Sequence, residues 1–395
     1  MMNICMVNTF FPPHVSGTAR ASFLLALKLA EAGHRLTIIT SSIGGPPSVE
    51  KRNGMMIYRL RSVRYPKLEI LHKADLYNNL LPENFGQILH ILRKQKIHVV
   101  QAFGQFFDLT FLCILASKML RLPIVLTIGT RMEHTQSLYD AFFRLADKTL
   151  IKQLVACRVD RIIAMDKLMR DYMRDRYDAS DSVIKFIPAG VDLERFEGVS
   201  GESIRRQYGL GQEDPVILSL GTMSNLRTAN GLLSALPRVL KQFERTKLLV
   251  VGSLYDTKPL ELVKKLQLQN SVIFGGRVDY AMIPSYIGAS DVEGHDLDTG
   301  LGVGLASLES MAAGKAVLSS AREDNFMELR LKSWENIVLV RPGDVGDISN
   351  ALVRLLSDQR LRVEIGRNAQ RYVREHFSLG AVCQKYEAVY DELIK

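Results

Sequence analysis

Residues 298–315 read Asp-Thr-Gly-Leu-Gly-Val-Gly-Leu-Ala-Ser-Leu-Glu-Ser-Met-Ala-Ala-Gly-Lys, which sets three glycines, at 300, 302 and 304, directly before a short Ala/Leu helix. A glycine turn lets the backbone approach a ligand closely, and the helix behind it aims free N–H groups and a partial positive charge at the same point. Such a turn holds a diphosphate. Glu309 falls one to two turns into the helix, where a carboxylate meets a ribose hydroxyl more readily than a phosphate, so the segment reads as a nucleotide-diphosphate site. The same spacing also serves plain packing of helix on strand, and its surroundings decide between the two.

Those surroundings are two series of short β-branched runs separated by helical patterns. Ile4–Val7, Leu36–Thr40, Val99–Ala102, Ile124–Ile128, Arg161–Met165 and Val183–Ile187 predict strands of a first sheet, with helices such as Phe23–Ala32 and Leu109–Leu120 between them. Val216–Leu220, Leu248–Val251, Val272–Phe274, Ala316–Ser319 and Ile337–Val340 predict a second series. Strands alternating with helices predict doubly wound parallel sheets, so the fold class is α/β with two Rossmann-like domains. The boundaries read as 1–195 for the first domain, a polar linker at 196–212, the second domain at 213–375, and a helix at 376–395 that packs back on the first. Ser378 stands where an N-cap is expected. Two such domains imply a cleft, and the turn at 300 lies at the strand ends that would face it.

At 395 residues, with 47% apolar and 24% charged side chains, the chain has the composition of a soluble globular protein. No run of 18 uncharged apolar residues predicts a membrane span, and the first residues lack the pattern of a signal peptide. Cys5, Cys113, Cys157 and Cys383 are scattered in apolar stretches without CxxC spacing, as reduced core cysteines of a cytosolic protein would be. Residues 1–195 carry 27 Lys and Arg against 17 Asp and Glu, an excess of ten, whereas the rest carries 24 against 25. Within Lys51–Lys73, seven basic residues (Lys51, Arg52, Arg59, Arg61, Arg64, Lys67, Lys73) accompany Glu69 and two tyrosines. Nucleic acid, an anionic membrane, an acidic acceptor and an ordinary solvated face all fit that cluster. A second basic stretch sets Phe142, Phe143, Leu145, Leu150, Ile151, Leu154 and Val155 beside Arg144, Lys148, Lys152 and Arg158, as core packing or a membrane-surface helix requires.

Two more turns follow first strands. Asn8 to Arg20 contains Ser16-Gly17 at a helix start, with His14 and Arg20 nearby, and Gly221 to Thr228 contains Arg227, a cation suited to a diphosphate leaving group. Placed in order, these pieces resemble the retaining glycosyltransferases of the GT-B fold, specifically the family 4 group. The resemblance runs through Phe10-Phe11-Pro12-Pro13…Gly17, Ala30–Thr37, Val159–Ala164, Ile187–Phe196, Val272–Val278, Leu308–Val317 and Arg341–Asp344. It implies a metal-independent hexosyltransferase that takes a UDP- or GDP-type nucleotide sugar as donor, needs no cofactor, and serves glycan, polysaccharide or lipid-linked acceptor synthesis. It also implies a cytoplasmic protein, free or peripheral on the inner face of the membrane, with anionic lipid as a partner and no nucleic acid. Residue by residue, Glu309 would hold the donor ribose. Gly302, Val303, Gly304 and Leu305 would cradle phosphate and sugar, Arg227 the phosphate, Arg277 and Val278 the base, and Ser16 and Gly17 would approach from the first domain.

The chain also departs from that pattern. Leu301 stands where the family's first glutamate belongs, Thr222 where its phosphate arginine belongs in the donor site, and Gly129 where a donor-sugar histidine belongs. Gln101-Ala102-Phe103 replaces a His-Ala-His type element. Asp298, Asp296, Arg131, Glu133 and His134 lie close enough in sequence to stand in, so the expected catalytic set is Arg227, Asp298 and His134. His295-Asp296-Leu297-Asp298 has no specific metal spacing. The alternative function is a catalytically degenerate GT-B protein that binds nucleotide or glycan and regulates or scaffolds an active partner; a sugar-nucleotide epimerase fits the tail less well.

Overall fold

The structure, a computed structural model, describes the chain except residues 15–16, 67–75, 132–136, 222, 224–228, 256, 295–296, 301 and 395. Two compact units divide it: residues 1–190 together with 379–395, and residues 191–378.

In the first unit the strands are β1 (Asn3–Val7), β2 (Arg35–Ser41), β3 (Ser48–Arg52), β4 (Met55–Leu60), β5 (Val63–Arg64), β6 (Tyr77–Asn78), β7 (Val99–Phe103), β8 (Ile124–Ile128), β9 (Arg161–Ala164) and β10 (Ile184–Phe186). Eight of them form one sheet in the order β10-β9-β8-β7-β1-β2-β4-β3, parallel except where β3 meets β4. Every residue of β7 and β8 is buried, which is why both read as near-continuous apolar runs, each interrupted by one polar residue, Gln101 and Thr127. One face packs Cys5, Val7, Val100, Leu126 and Ile162 under the helices Pro82–Lys94, Asp108–Met119 and Lys167–Tyr177. The other packs Ile4, Met6, Ile38 and Val125 under Gly17–Glu31 and the C-terminal helix Leu379–Ile394.

The hairpin β3–β4 falls inside what composition alone presents as a basic cluster. Its turn is Asn53-Gly54 with φ of 49° and 76°, the left-handed pair that a two-residue hairpin needs. Arg59 on β4 is therefore no free surface cation. It is mostly buried and donates to the Pro12 carbonyl at 2.6 Å and to Glu50 at 2.8 Å. Lys67, Glu69 and Lys73 lie outside the described residues.

The segment from 137 to 158 corrects a single amphipathic face. A helix at Ser137–Ala146 widens into a π turn at Asp147–Ile151, followed by a short helix and a 3-10 turn. Asp147 is drawn into the interior, where it accepts from the Tyr172 hydroxyl and from Tyr177 at 2.7 Å. The wider turn shifts the register, so Phe143 and Val155 are buried while Phe142, Leu145 and Leu150 face solvent with Leu138. Cys157 sits on the exposed 3-10 turn, unlike the other three cysteines, which are buried; all four are free.

In the second unit the strands are β11 (Val216–Leu220), β12 (Lys247–Val251), β13 (Val272–Gly276), β14 (Val292–Gly294), β15 (Ala316–Ser319) and β16 (Val338–Leu339), ordered β13-β12-β11-β14-β15-β16 and parallel throughout. Residues 196–212, expected as a linker, instead belong to this unit. A 3-10 turn at Leu193–Phe196 and a helix at Glu202–Gln207 anchor them by burying Phe196 and Ile204. After Gln359–His376, capped by Asp358 through the Leu361 N–H at 2.9 Å, the chain enters the first unit at Leu379. Among the described residues no helix is long and apolar enough to cross a membrane.

Candidate functional site

In the second sheet the strand order reverses between β11 and β14, so the loops leaving those strands meet at a switch point, where parallel sheets bind ligands. The glycine turn is the loop after β14. Gly300, with φ +69°, donates its N–H to Ser320 Oγ at 3.2 Å. Gly302 has φ +96°, and a Cβ there would stand 2.5 Å from Asn325 Oδ1, so neither backbone nor space admits a side chain. Gly304 precedes the helix Leu305–Ala312 without any side-chain cap and with no acidic residue in the first turn, which leaves the N–H groups of that turn for an anion. Val303 is buried and Leu305 half-buried in the same turn. Asn325 is buried beside Gly302, and its Nδ2 has no partner among the described residues, a donor suited to a phosphate or sugar oxygen.

Glu309 lies in that helix, 5% exposed, and accepts a hydrogen bond from the Tyr280 hydroxyl. The Tyr280 ring in turn carries the Arg195 guanidinium 4.5 Å above its centroid, and Arg195 Nη2 reaches the Tyr280 carbonyl at 3.3 Å. This chain of contacts fixes Glu309 and brings Arg195 into its neighbourhood. Arg277 is exposed and Val278 half-buried just past β13. Asp298 is turned toward the helix Asn230–Leu240, where its Oδ2 accepts the Gly231 N–H at 3.3 Å. Ser16, Thr222, Arg227, Leu301 and His134 lie outside the described residues, as do Glu133, His295 and Asp296. One more carboxyl stands nearby in the sheet itself. Glu293 on β14 is fully buried, burial pushes its carboxyl up to about 8 with some relief from the Ser307 hydroxyl, and neither oxygen meets a described donor in normal hydrogen-bonding geometry.

The first sheet reverses between β1 and β7, and Gly17 begins the exposed start of the helix after β1. Gln101, in the replaced His-Ala-His type element, has a structural task. Its Nε2 donates to Thr127 Oγ1 at 3.0 Å and its Oε1 accepts from Tyr390 at 3.0 Å, while Thr127 also bonds Tyr386 at 3.0 Å. His34 does likewise: it accepts the Met2 N–H at Nδ1, at 3.1 Å, which leaves Nε2 to donate to Glu387 at 2.7 Å. Gly129 is bare, and a Cβ there would meet Met165 Cε at 2.5 Å.

Sequence reading passed over Tyr280, Asn325, Arg195 and Glu293. Tyr280 and Asn325 stand far from the turn in sequence, so only tertiary contact reveals them. Arg195 sits in a quoted motif, but its partner was not visible there. Glu293 stands in a three-residue strand that only pairing with β11 and β15 reveals, so its burial was not visible in the sequence.

Residues 15–195 match the family model described as Glycosyltransferase Family 4, and residues 200–372 match that of Glycosyl transferases group 1. Over nearly its whole length the chain is similar to an uncharacterized glycosyltransferase of Methanocaldococcus jannaschii, at 23% identity with 98% of this chain and 97% of the relative covered. It is also similar to the alpha-monoglucosyldiacylglycerol synthase of Streptococcus pneumoniae, at 28% identity over 79% of this chain and 69% of the relative. The solved structure of Anabaena HepE in complex with UDP-glucose shares the fold, with a TM-score of 0.75 and 16% identity over 100% of both chains.

Proposed function

We propose, on the premise that this chain belongs to the glycosyltransferases of the GT-B fold, that it moves a hexose-type sugar from a nucleoside-diphosphate donor to a glycan or lipid-linked acceptor with retention at the anomeric carbon. The observation that carries the reading is the uncapped glycine turn at residues 300–304, with Glu309 fixed in the helix behind it. The UDP-glucose held by the Anabaena structure and the glycolipid named for the streptococcal relative support the donor and acceptor classes.

In this reading the diphosphate lies on the N–H groups of the turn, Arg227 adds a cation, Arg277 and Val278 flank the base, and Glu309 takes the ribose hydroxyls. The acceptor hydroxyl attacks from the side the leaving group vacates, and a β-phosphate oxygen takes its proton. The protein contributes position and fixed positive potential; neither metal nor protein nucleophile is needed. The exposed Leu138, Phe142, Leu145 and Leu150 beside Arg144 and Lys148 would rest on an anionic membrane surface. Removing the carboxylate in Glu309→Ala raises the UDP dissociation constant about tenfold by calorimetry, as the loss of a charged hydrogen bond does. Unchanged binding of UDP, GDP and ADP would remove the ribose assignment.

Leu301, Thr222 and the bare Gly129 favour a second reading, a nucleotide-binding scaffold for an active partner. Nucleotide binding without turnover on any of a panel of nucleotide sugars with membrane extract selects it.

A further inference from the structure

The first unit contains a chamber of about 220 Å³ at its own switch point, built from the loops after β1, β7, β8 and β9 and from the C-terminal helix. An engineered cavity of about 150 Å³ already takes up benzene, so this one has room for a single substituted ring. Its walls include Phe10, Phe103, Phe106, Phe107, Met165 and Leu25, and among the described residues no lining side chain is charged. Phe10 meets Phe107 edge-on at 5.5 Å and 90°, an aromatic wall against which a further ring packs favourably. Gly129 keeps the space open, because any side chain there would push Met165 out of the wall.

The buried polar side chains on the lining are nearly all spent. Asn8 Nδ2 donates to Ser22 Oγ at 2.9 Å and to the Thr18 carbonyl at 3.2 Å, and its Oδ1 accepts the Phe10 N–H at 3.2 Å. Thr127 and Tyr386 are taken up with Gln101 and with each other. Gln105 differs. It is 1% exposed, its Nε2 donates to the Thr130 carbonyl at 2.8 Å, and its Oε1 has no partner among the described residues. The Thr130 carbonyl accepts only from a nitrogen, so the amide cannot be turned round, and an acceptor is what remains. A hexose would bring several hydroxyls against walls that are mainly apolar, and would lose part of their water without replacement. A phosphate or carboxylate would find no cationic side chain among the described residues of the lining.

We propose that the chamber is an acceptor subsite for an uncharged aromatic alcohol of one ring, whose hydroxyl donates to Gln105 Oε1. The word acceptor rests on the glycosyltransfer reading, in which this ligand class takes the place of a glycan at the acceptor site; the ligand class itself rests on the chamber alone.

The probes are 4-methylphenol and its hydroxyl-capped analogue 4-methylanisole, titrated by ligand-observed NMR into the full chain, with UDP titrated into the same samples. Wild type prefers the phenol about tenfold. Gln105→Leu abolishes that preference while still binding the anisole, and Ala21→Leu, which narrows the chamber from the helix Gly17–Glu31, weakens both probes. UDP binding and circular dichroism establish that each variant is folded. Equal binding of the two probes to wild type, binding indifferent to Ala21→Leu, or a preference for methyl glucoside or inorganic phosphate overturns the proposal. UDP binding with no phenol binding overturns the subsite and leaves the glycosyltransfer reading standing. Phenol binding with no UDP binding upholds the ligand class and overturns that reading.

Discussion

Glu293 occupies the middle of a three-residue parallel strand from which water is excluded, and burial holds its carboxyl at about 8, against an ordinary 4.5. The folded chain thus keeps a proton that the unfolded chain releases between those values, and this group's contribution to stability is full below pH 4.5 and is lost as pH rises toward 8. The slope approaches roughly 1.4 kcal/mol per pH unit within that window. Glu293→Gln, which cannot ionise, is expected to hold its urea midpoint better than wild type from pH 5 to 8, with the gap widening as pH rises; parallel curves sink the assignment. Gly302 answers to sterics rather than charge. Gly302→Ala would place a methyl group 2.5 Å from Asn325 Oδ1 at a φ of +96°, and a loss of about 1–3 kcal/mol with weakened UDP binding is expected. Adding Asn325→Ala should recover part of the stability, since it removes the clash but not the backbone strain. If the double variant is no more stable than the single one, the contact is not what excludes the side chain.

At the scale of elements, the π turn at Asp147–Ile151 separates two faces of one helical segment. The inner face is pinned by Asp147, whose carboxyl burial raises while the Tyr172 and Tyr177 hydroxyls and Arg176 draw it back. The outer face carries Phe142 and Leu145 in water, where neither contributes to the core. Phe142→Ser with Leu145→Ser should therefore leave the thermal midpoint nearly unchanged and reduce sedimentation with phosphatidylglycerol vesicles roughly tenfold, as removal of partly inserted apolar surface does. Undiminished vesicle binding would move the membrane contact elsewhere on the first unit. The 3.6-residue pattern across this segment was plain in the sequence, but the register shift was not, because it follows from two tyrosines 25 and 30 residues downstream. Strand β14 was missed for a related reason: Glu293 breaks an apolar run that only the neighbouring strands β11 and β15 complete.

At the scale of the whole molecule, the last helix belongs to the first unit although it follows the second in sequence. Leu379–Ile394 buries Val382, Cys383, Tyr386, Val389 and Tyr390 in the core of that unit and carries the Tyr390–Gln101 and Glu387–His34 bonds. At about 1.5–3 kcal/mol for each fully buried apolar side chain, its removal is comparable to a typical net stability of roughly 5–15 kcal/mol. A chain ending at Ser378 should lose residues 1–190 rapidly to limited proteolysis while 191–378 survives as a fragment; resistance of the first unit to digestion would show that the helix is dispensable. The sequence by itself determined the two parallel sheets, since central parallel strands are apolar on both faces and stand out as β-branched runs. It also determined the glycine turn with Glu309, since φ and close approach demand glycine at fixed places. Only the tertiary structure decided that Tyr280 meets Glu309 and Asn325 borders that turn, that Gln101 and His34 are fasteners for the last helix, and that Gln105 leaves an open acceptor in a chamber with no charged side chain among its described lining residues. Each of those depends on which distant side chain arrives to satisfy a polar atom, and a pattern along one chain does not record that.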